Sequence, residues 1–209
     1  MKLMHVVGAR PNFMKIAPVI AAFNEYNKLN NNRFTQRLIH TGQHYDHKMS
    51  ELFFEQLEMP RPDINLEIGS GTHGKQTGQI MISFEEVLQK ENPDLVIVVG
   101  DVNSTIACAI DSKKLGIPVA HIEAGLRSFD MTMPEEINRI VTDSISDLYF
   151  TTDRQANKNL ENEGVPKAKI KFVGNVMIDT LLKHKKNALK KPNLRELGLV
   201  TDHGVIREY

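Results

Sequence analysis

DLVIVVGDVNSTIACAIDSKKLGIPVAHIEAGLR, residues 94–127, decides the fold. Leu95 to Val99 is apolar throughout and mostly β-branched, the composition of a strand covered on both faces, and Gly100 ends it before Asp101. A helix is expected from Asn103 to Leu115, with Gly116 at its C-terminus, where a residue free to take positive φ is favoured. A second strand, Ile117 to Ile122, then breaks into Glu123. The stretch predicts one βαβ unit with both strands running the same way. Parallel neighbours lie about 4.8 Å apart, so Asp101 and Glu123 stand side by side on the rim where open α/β sheets bind ligands. They are the first two catalytic candidates. Spacing alone leaves a structural reading open for each, Asp101 as a helix cap and Glu123 as half of an ion pair.

Towards the N-terminus, Leu3 to Val7 reads as a strand ending at Gly8, and Phe13, Ile16, Ala17, Ile20, Ala21 and Phe23 follow at helical spacing. Pro11 suits the first helical turn, leaving Arg10 and Lys15 near free N–H groups, a cradle for a phosphate or pyrophosphate. A second strand, Phe34 to His40, ends in Thr41-Gly42-Gln43-His44, and a helix carrying Met49, Leu52, Phe53 and Leu57 follows. Gln43 and His44 are read as a ligand-facing loop. His44, Asp46 and His47 lack the further ligands of a metal site, so no metal is expected there. Gly69 to Gln76 matches two phosphate-binding patterns and fails both. Gln76 stands where a P-loop needs a hydroxyl, and a dinucleotide fingerprint belongs at the first βα turn. It is read as a flexible loop that closes over a ligand and leads into a helix from Gln79 to Lys90.

Beyond Glu123, Pro134-Glu135-Glu136 opens a helix with apolar positions Ile137, Ile140, Val141 and Ile145. Pro at the first turn and acids at the positive end of the dipole explain these residues as ordinary helix-start chemistry. Arg127 and Arg139 are partners for those carboxylates or for a substrate. A strand (Leu148 to Thr151), a helix (Gln155 to Glu163), a strand (Ile170 to Val173) and a helix (Val176 to Leu189) follow. Lys185, Lys186, Lys190 and Lys191 then surround a helix end that Pro192 breaks. The expected division is a first domain over 1–175, with 176–209 an interdomain helix or linker and the start of a second domain.

The 209 residues carry 26 basic and 26 acidic side chains, with neither sign gathered into a block, so neither nucleic acid nor a charged membrane surface is an expected partner. One cysteine, Cys108, excludes an intramolecular disulfide and fits a reducing, cytoplasmic setting. The opening MKLMHVVGARP is too short in its apolar run for a signal peptide. No stretch approaches the roughly 20 apolar residues that span a bilayer.

Five motifs now stand in order: GARPNFMK (8–15), GDVNST (100–105), HIEAGLRS (121–128), MPEEINR (133–139) and GNVMID (174–179). Together they resemble the non-hydrolysing UDP-N-acetylglucosamine 2-epimerases. The resemblance implies an α/β architecture, a Rossmann-like parallel sheet with helices on both faces, forming the amino-terminal half of a GT-B fold. It also implies interconversion of UDP-N-acetylglucosamine and UDP-N-acetylmannosamine, by loss of the C2 proton and of UDP to give 2-acetamidoglucal, then their return with protonation from the opposite face. No metal or nicotinamide cofactor is implied. Asp101, Glu123 and Glu135 match the family's catalytic carboxylates, Arg10 and Lys15 its nucleotide cleft, and Glu136 is the alternative to Glu135 for facing the cleft. A homodimer serving envelope polysaccharide synthesis is the implied setting. The second-domain Thr-Leu-His-Arg type motif has no counterpart before Tyr209, so this chain is expected to fold but to turn over little alone. GQHYDHKM also departs from the GQHREML of substrate-activated bacterial members, so such activation is not expected. The alternatives are a UDP-2,3-diacetamido-2,3-dideoxyglucuronate 2-epimerase, a GT-B glycosyltransferase and a nucleotide-sugar-binding module.

Overall fold

The computed structural model describes residues 1–31, 33–42, 54, 57–189, 198 and 199. In chain order these form β1 (Lys2–Val7), α1 (Arg10–Leu29), β2 (Thr35–His40), β3 (Ile64–Asn65), α2 (His73–Glu91), β4 (Leu95–Val99) and α3 (Asn103–Lys114). There follow β5 (Val119–Ala124), α4 (Pro134–Ile145), β6 (Leu148–Thr151), α5 (Arg154–Asn162), β7 (Ile170–Phe172) and α6 (Val176–Leu189). The strands make one sheet in the order β3-β2-β1-β4-β5-β6-β7, and every pairing is parallel. Because the chain builds leftward from β1 and then returns to build rightward from β4, the strand order reverses between these two. A crevice opens at that switch point beyond the strands' carboxyl ends.

Both faces are covered, which is why β4 reads as an unbroken apolar run and all five of its residues are buried. Phe13, Ile16 and Ile20 of α1 pack on one face against Leu3, Val7, Ile97, Val99 and Ile122. Ile80, Phe84 and Leu88 of α2, with Ala107 and Cys108 of α3, pack on the other against Met4, Val6, Val96, Val98 and Val119. Each large apolar side chain so buried is worth about 1.5–3 kcal/mol relative to exposure. Helix α6 is docked on α1: Val176 joins the first cluster and the Thr180 hydroxyl donates to the Met14 carbonyl at 2.6 Å.

Three sequence expectations change. β5 starts at Val119, not Ile117, because the Ile117 N–H closes α3 on the Ser112 carbonyl (2.8 Å) and Pro118 has no N–H to give a ladder. Helix α2 starts at His73, inside the stretch expected to be a flexible loop. Thr72 caps it by accepting from the Lys75 N–H, and Gln76 is buried with its side-chain amide donating to the Gly69 carbonyl (3.1 Å). The short β3 carried no periodic signal and was not expected. The expected helix around Met49 and Leu52 lies outside the described residues, as do Gln43 and His44.

Gly125, just after β5, has φ +79°, and a side chain there would meet the Ala156 carbonyl oxygen at 2.5 Å. Gly125→Ala is expected to lose at least about 1–2 kcal/mol from the left-handed backbone alone. A thermal melt should show Tm falling by at least about 2–8 °C, taking about 2–4 °C per kcal/mol at this size. An unchanged Tm would contradict the close approach of α5 to this loop.

Candidate active site

The site assembles where β1, β4 and β5 end. Gly8 lets the loop after β1 lie against Ser104 and Thr41, whose hydroxyls share a hydrogen bond of 2.7 Å. Asn12, in the first turn of α1, accepts from the Ala9 N–H (2.9 Å) and the Gly8 N–H (3.3 Å), and donates to the Val99 carbonyl (2.9 Å). That one carboxamide ties the first βα loop to the end of β4. It also sets Lys15, one turn further on, over Gly100, where the largely buried ammonium pairs with Glu123. Gly100 has φ +68°, and a side chain there would sit 3.2 Å from Lys15 Nζ and 3.3 Å from Glu123 Oε2. The ion pair packs over the one residue that leaves room for it.

Glu123 stands inside β5, not after it, at φ +72°. The register against β6 shifts between Ile122 and Ala124, so Glu123 is the bulged residue. A bulge re-aims a side chain, and a left-handed glutamate persists only where its surroundings hold it, a pattern concentrated at functional sites. Its ion-pair reading is also present in the contact with Lys15. The helix-cap reading of Asp101 falls, because Val102 holds the N-cap position of α3. Asp101 is partly exposed, Arg139 Nε donates to its Oδ2 at 2.9 Å, and the Asn138 amide donates to its carbonyl at 2.8 Å.

Glu135 and Glu136 separate cleanly. Glu135 is exposed at the first turn of α4. Glu136 is fully buried; its carboxylate accepts from the Ser128 N–H (3.0 and 3.1 Å), the Phe129 N–H (2.9 Å) and Arg139. Burial pushes that carboxyl up, but the N–H donors and the guanidinium outweigh it and hold it below the usual range. Arg139 therefore bridges Glu136 to Asp101. Arg127, expected at the substrate, has a side chain only 1% exposed, and its guanidinium donates to Asp143 (2.7 Å) and to Glu163 (2.8 and 2.5 Å). Arg10 is exposed at the start of α1, on the rim beyond β1.

Sequence reasoning passed over Asn12, Asn103, Asn138, His121 and Asp143. Asn103 donates to Gln76 Oε1 (2.8 Å), joining α2 to the site, and His121 was visible only as a polar residue in an apolar strand. The assembled rim offers two carboxylates from adjacent strand ends, each held by one cation. Such a set can move protons on a bound molecule and favour a departing anion.

The family described as UDP-N-acetylglucosamine 2-epimerase matches residues 27–206. The chain belongs to that family. A Methanococcus maripaludis UDP-N-acetylglucosamine 2-epimerase homolog is 54% identical over 190 residues, covering 91% of this chain and 50% of the relative. A Pseudomonas aeruginosa UDP-2,3-diacetamido-2,3-dideoxy-D-glucuronate 2-epimerase is 48% identical over 99% of this chain and 56% of its own length. The crystal structure of the Methanocaldococcus jannaschii UDP-GlcNAc 2-epimerase in complex with UDP-GlcNAc and UDP superposes with a TM-score of 0.88 at 46% identity, covering 96% of this chain and 54% of that one. The sheet is thus half of a GT-B fold, and the chain spans about half the length of the family members it matches. Among the described residues no helix is long and apolar enough to cross a membrane.

Proposed function

We propose that the protein carrying this chain interconverts UDP-N-acetylglucosamine and UDP-N-acetylmannosamine. The observation that carries the reading is the pair Asp101 and Glu123 at the ends of neighbouring strands, with Arg139 and Lys15 beside them. The C2 proton is weakly acidic and needs a carboxylate base within hydrogen-bond reach; inversion needs an acid on the opposite face. As the proton leaves C2, the C1–O bond to UDP breaks, giving 2-acetamidoglucal and UDP. Return places a proton on the other face of C2 and the UDP oxygen back on C1. The reaction is redox-neutral and consumes no co-substrate. In this reading Asp101, Glu123 and the exposed Glu135 serve the proton transfers, while Lys15 and Arg10 meet the diphosphate. Glu136 and Arg127 brace the loop between β5 and α4, since protein groups already hold their polar atoms. Gln43 and His44 complete the nucleotide's surroundings. The setting this implies is a cytoplasmic homodimer feeding envelope polysaccharide synthesis, with residues 1–175 as the carboxylate-bearing domain and 176–209 leading into the second.

The diacetamidoglucuronate sugar nucleotide is the second reading, favoured by the 48% identity to that relative over 99% of this chain. Incubating each sugar nucleotide with the 209 residues, and with a chain of the relatives' full length, separates the two. Epimer from UDP-N-acetylglucosamine with the longer chain, and little with the 209 residues, is the expected result. Epimer from the diacetamido substrate alone would overturn the first reading in favour of the second.

A further inference from the structure

His121 of β5 is fully buried, on the face of the sheet opposite α1, and neither the proton transfers nor the nucleotide contacts use it. Both its ring nitrogens are committed. Nε2 donates to the Gly100 carbonyl at 2.8 Å, and Nδ1 lies 2.6 Å from Asp143 Oδ1. The other oxygen of Asp143 accepts from the Gly125 N–H at 3.0 Å and from Arg127 at 2.7 Å. The hydroxyl of Tyr149, also buried, faces the Ser146 (2.6 Å) and Asp143 (2.8 Å) carbonyls and so holds the end of α4 that carries the carboxylate. Burial would raise the Asp143 carboxyl, but His121 and Arg127 beside it hold it below the usual range.

The ends of this small network have a particular address. Gly100 is the residue before Asp101, and Gly125 is two residues after Glu123. One buried ring and one buried carboxylate thus hold the backbone beside each of the two rim acids, before Asp101 and after Glu123. Glu123 (φ +72°) occupies a backbone region that side-chain-bearing residues rarely adopt, so its conformation depends on external holds, while Gly100 (φ +68°) takes that region freely and has no side chain of its own to fix it. Gly100 is gripped twice, by His121 from below and by the Lys15–Glu123 pair above.

We infer that His121, seated by Asp143, is a positioning residue that fixes the spacing of Asp101 and Glu123 and so commits the eliminated intermediate to its return. The inference rests on the epimerase reading above. Its mechanical content is specific: elimination needs a base at one face, whereas completed inversion needs an acid in place at the other before the glycal and UDP diffuse apart. A loosened Gly100–Asp101 peptide leaves elimination possible and delays return, so intermediate escapes.

The test uses a chain of the relatives' full length containing these residues and measures released 2-acetamidoglucal against epimer formed. A ratio of two products does not depend on how much enzyme is folded, which a merely structural role would change. His121→Asn places its amide near the Nδ1 position and can still donate to Asp143 but not reach Gly100. His121→Gln reaches the Nε2 position and keeps the donor to Gly100. The expected result is a rise of at least about tenfold in the ratio for His121→Asn, the scale on which small misplacements act, and a ratio within about twofold of the unsubstituted protein for His121→Gln. An unchanged ratio in His121→Asn overturns the inference, and equal leakage in both variants overturns the assignment to the Gly100 bond. Should His121→Asn not accumulate, Asp143→Ser is measured in the same way; its shorter side chain withdraws the oxygen that seats His121 Nδ1, and an unchanged ratio there also overturns the inference. Failure of the underlying epimerase reading shows separately, as no epimer from the unsubstituted protein.

Discussion

Asp101→Asn and Glu123→Gln are each expected to lower epimerisation by about 10²–10⁴-fold, the usual worth of a positioned acid or base. The two changes differ in what else they disturb. Asp101 is partly exposed, and an asparagine there keeps an oxygen to accept from Arg139 Nε, so stability should hold to within about 0.5 kcal/mol. Glu123→Gln removes the countercharge of a largely buried lysine, so the melt should fall as well as the rate. Activity and Tm measured together therefore separate the roles: Asp101→Asn with a native melt and lost turnover is a pure chemical defect. If Asp101→Asn retained turnover within tenfold of the unsubstituted protein, the proton-transfer role would be wrong for that residue.

The largest stability effect is expected at Glu136. Its carboxylate, fully buried, satisfies two backbone N–H groups and one guanidinium. Glu136→Ala leaves those donors and a partly buried charge without that acceptor, a loss of about 3–5 kcal/mol. For a chain of this size that is a Tm drop of about 6–20 °C. Activity should fall too, because Arg139 would lose one of the two carboxylates that fix it beside Asp101. Glu136→Gln keeps one acceptor and should lie between. A Glu136→Ala melt within about 2 °C of the unsubstituted protein would contradict the bracing role.

The βαβ centre was legible because burial on both faces leaves a plain signature: Leu95 to Val99 has no polar residue, and Gly116 takes the positive φ that its position demanded. What the pattern hid was local hydrogen-bond competition. Ile117 looks like strand, but its N–H belongs to the end of α3. Gly74 and Gly78 look like loop, yet neither would bring a Cβ within 4 Å of a neighbour, and the Thr72 cap starts the helix before them. At the site, strand ends announced Asp101 and Glu123, but the bulge that turns Glu123 has no sequence signature. Nor did adjacent glutamates reveal which was buried; about 100° of helix rotation separates Glu135 in solvent from Glu136 in the core. His121 and Asp143, 22 residues apart, meet only because α4 lies across β5.

The most direct test of the account is the C2 hydrogen itself. UDP-N-acetylglucosamine incubated in D₂O with a chain of the relatives' full length should gain one deuterium at C2 in the epimer formed, by mass spectrometry, and gain it about 10²–10⁴-fold more slowly with Asp101→Asn. Epimer formed without deuterium at C2 would contradict proton abstraction there, and with it the roles given to Asp101 and Glu123.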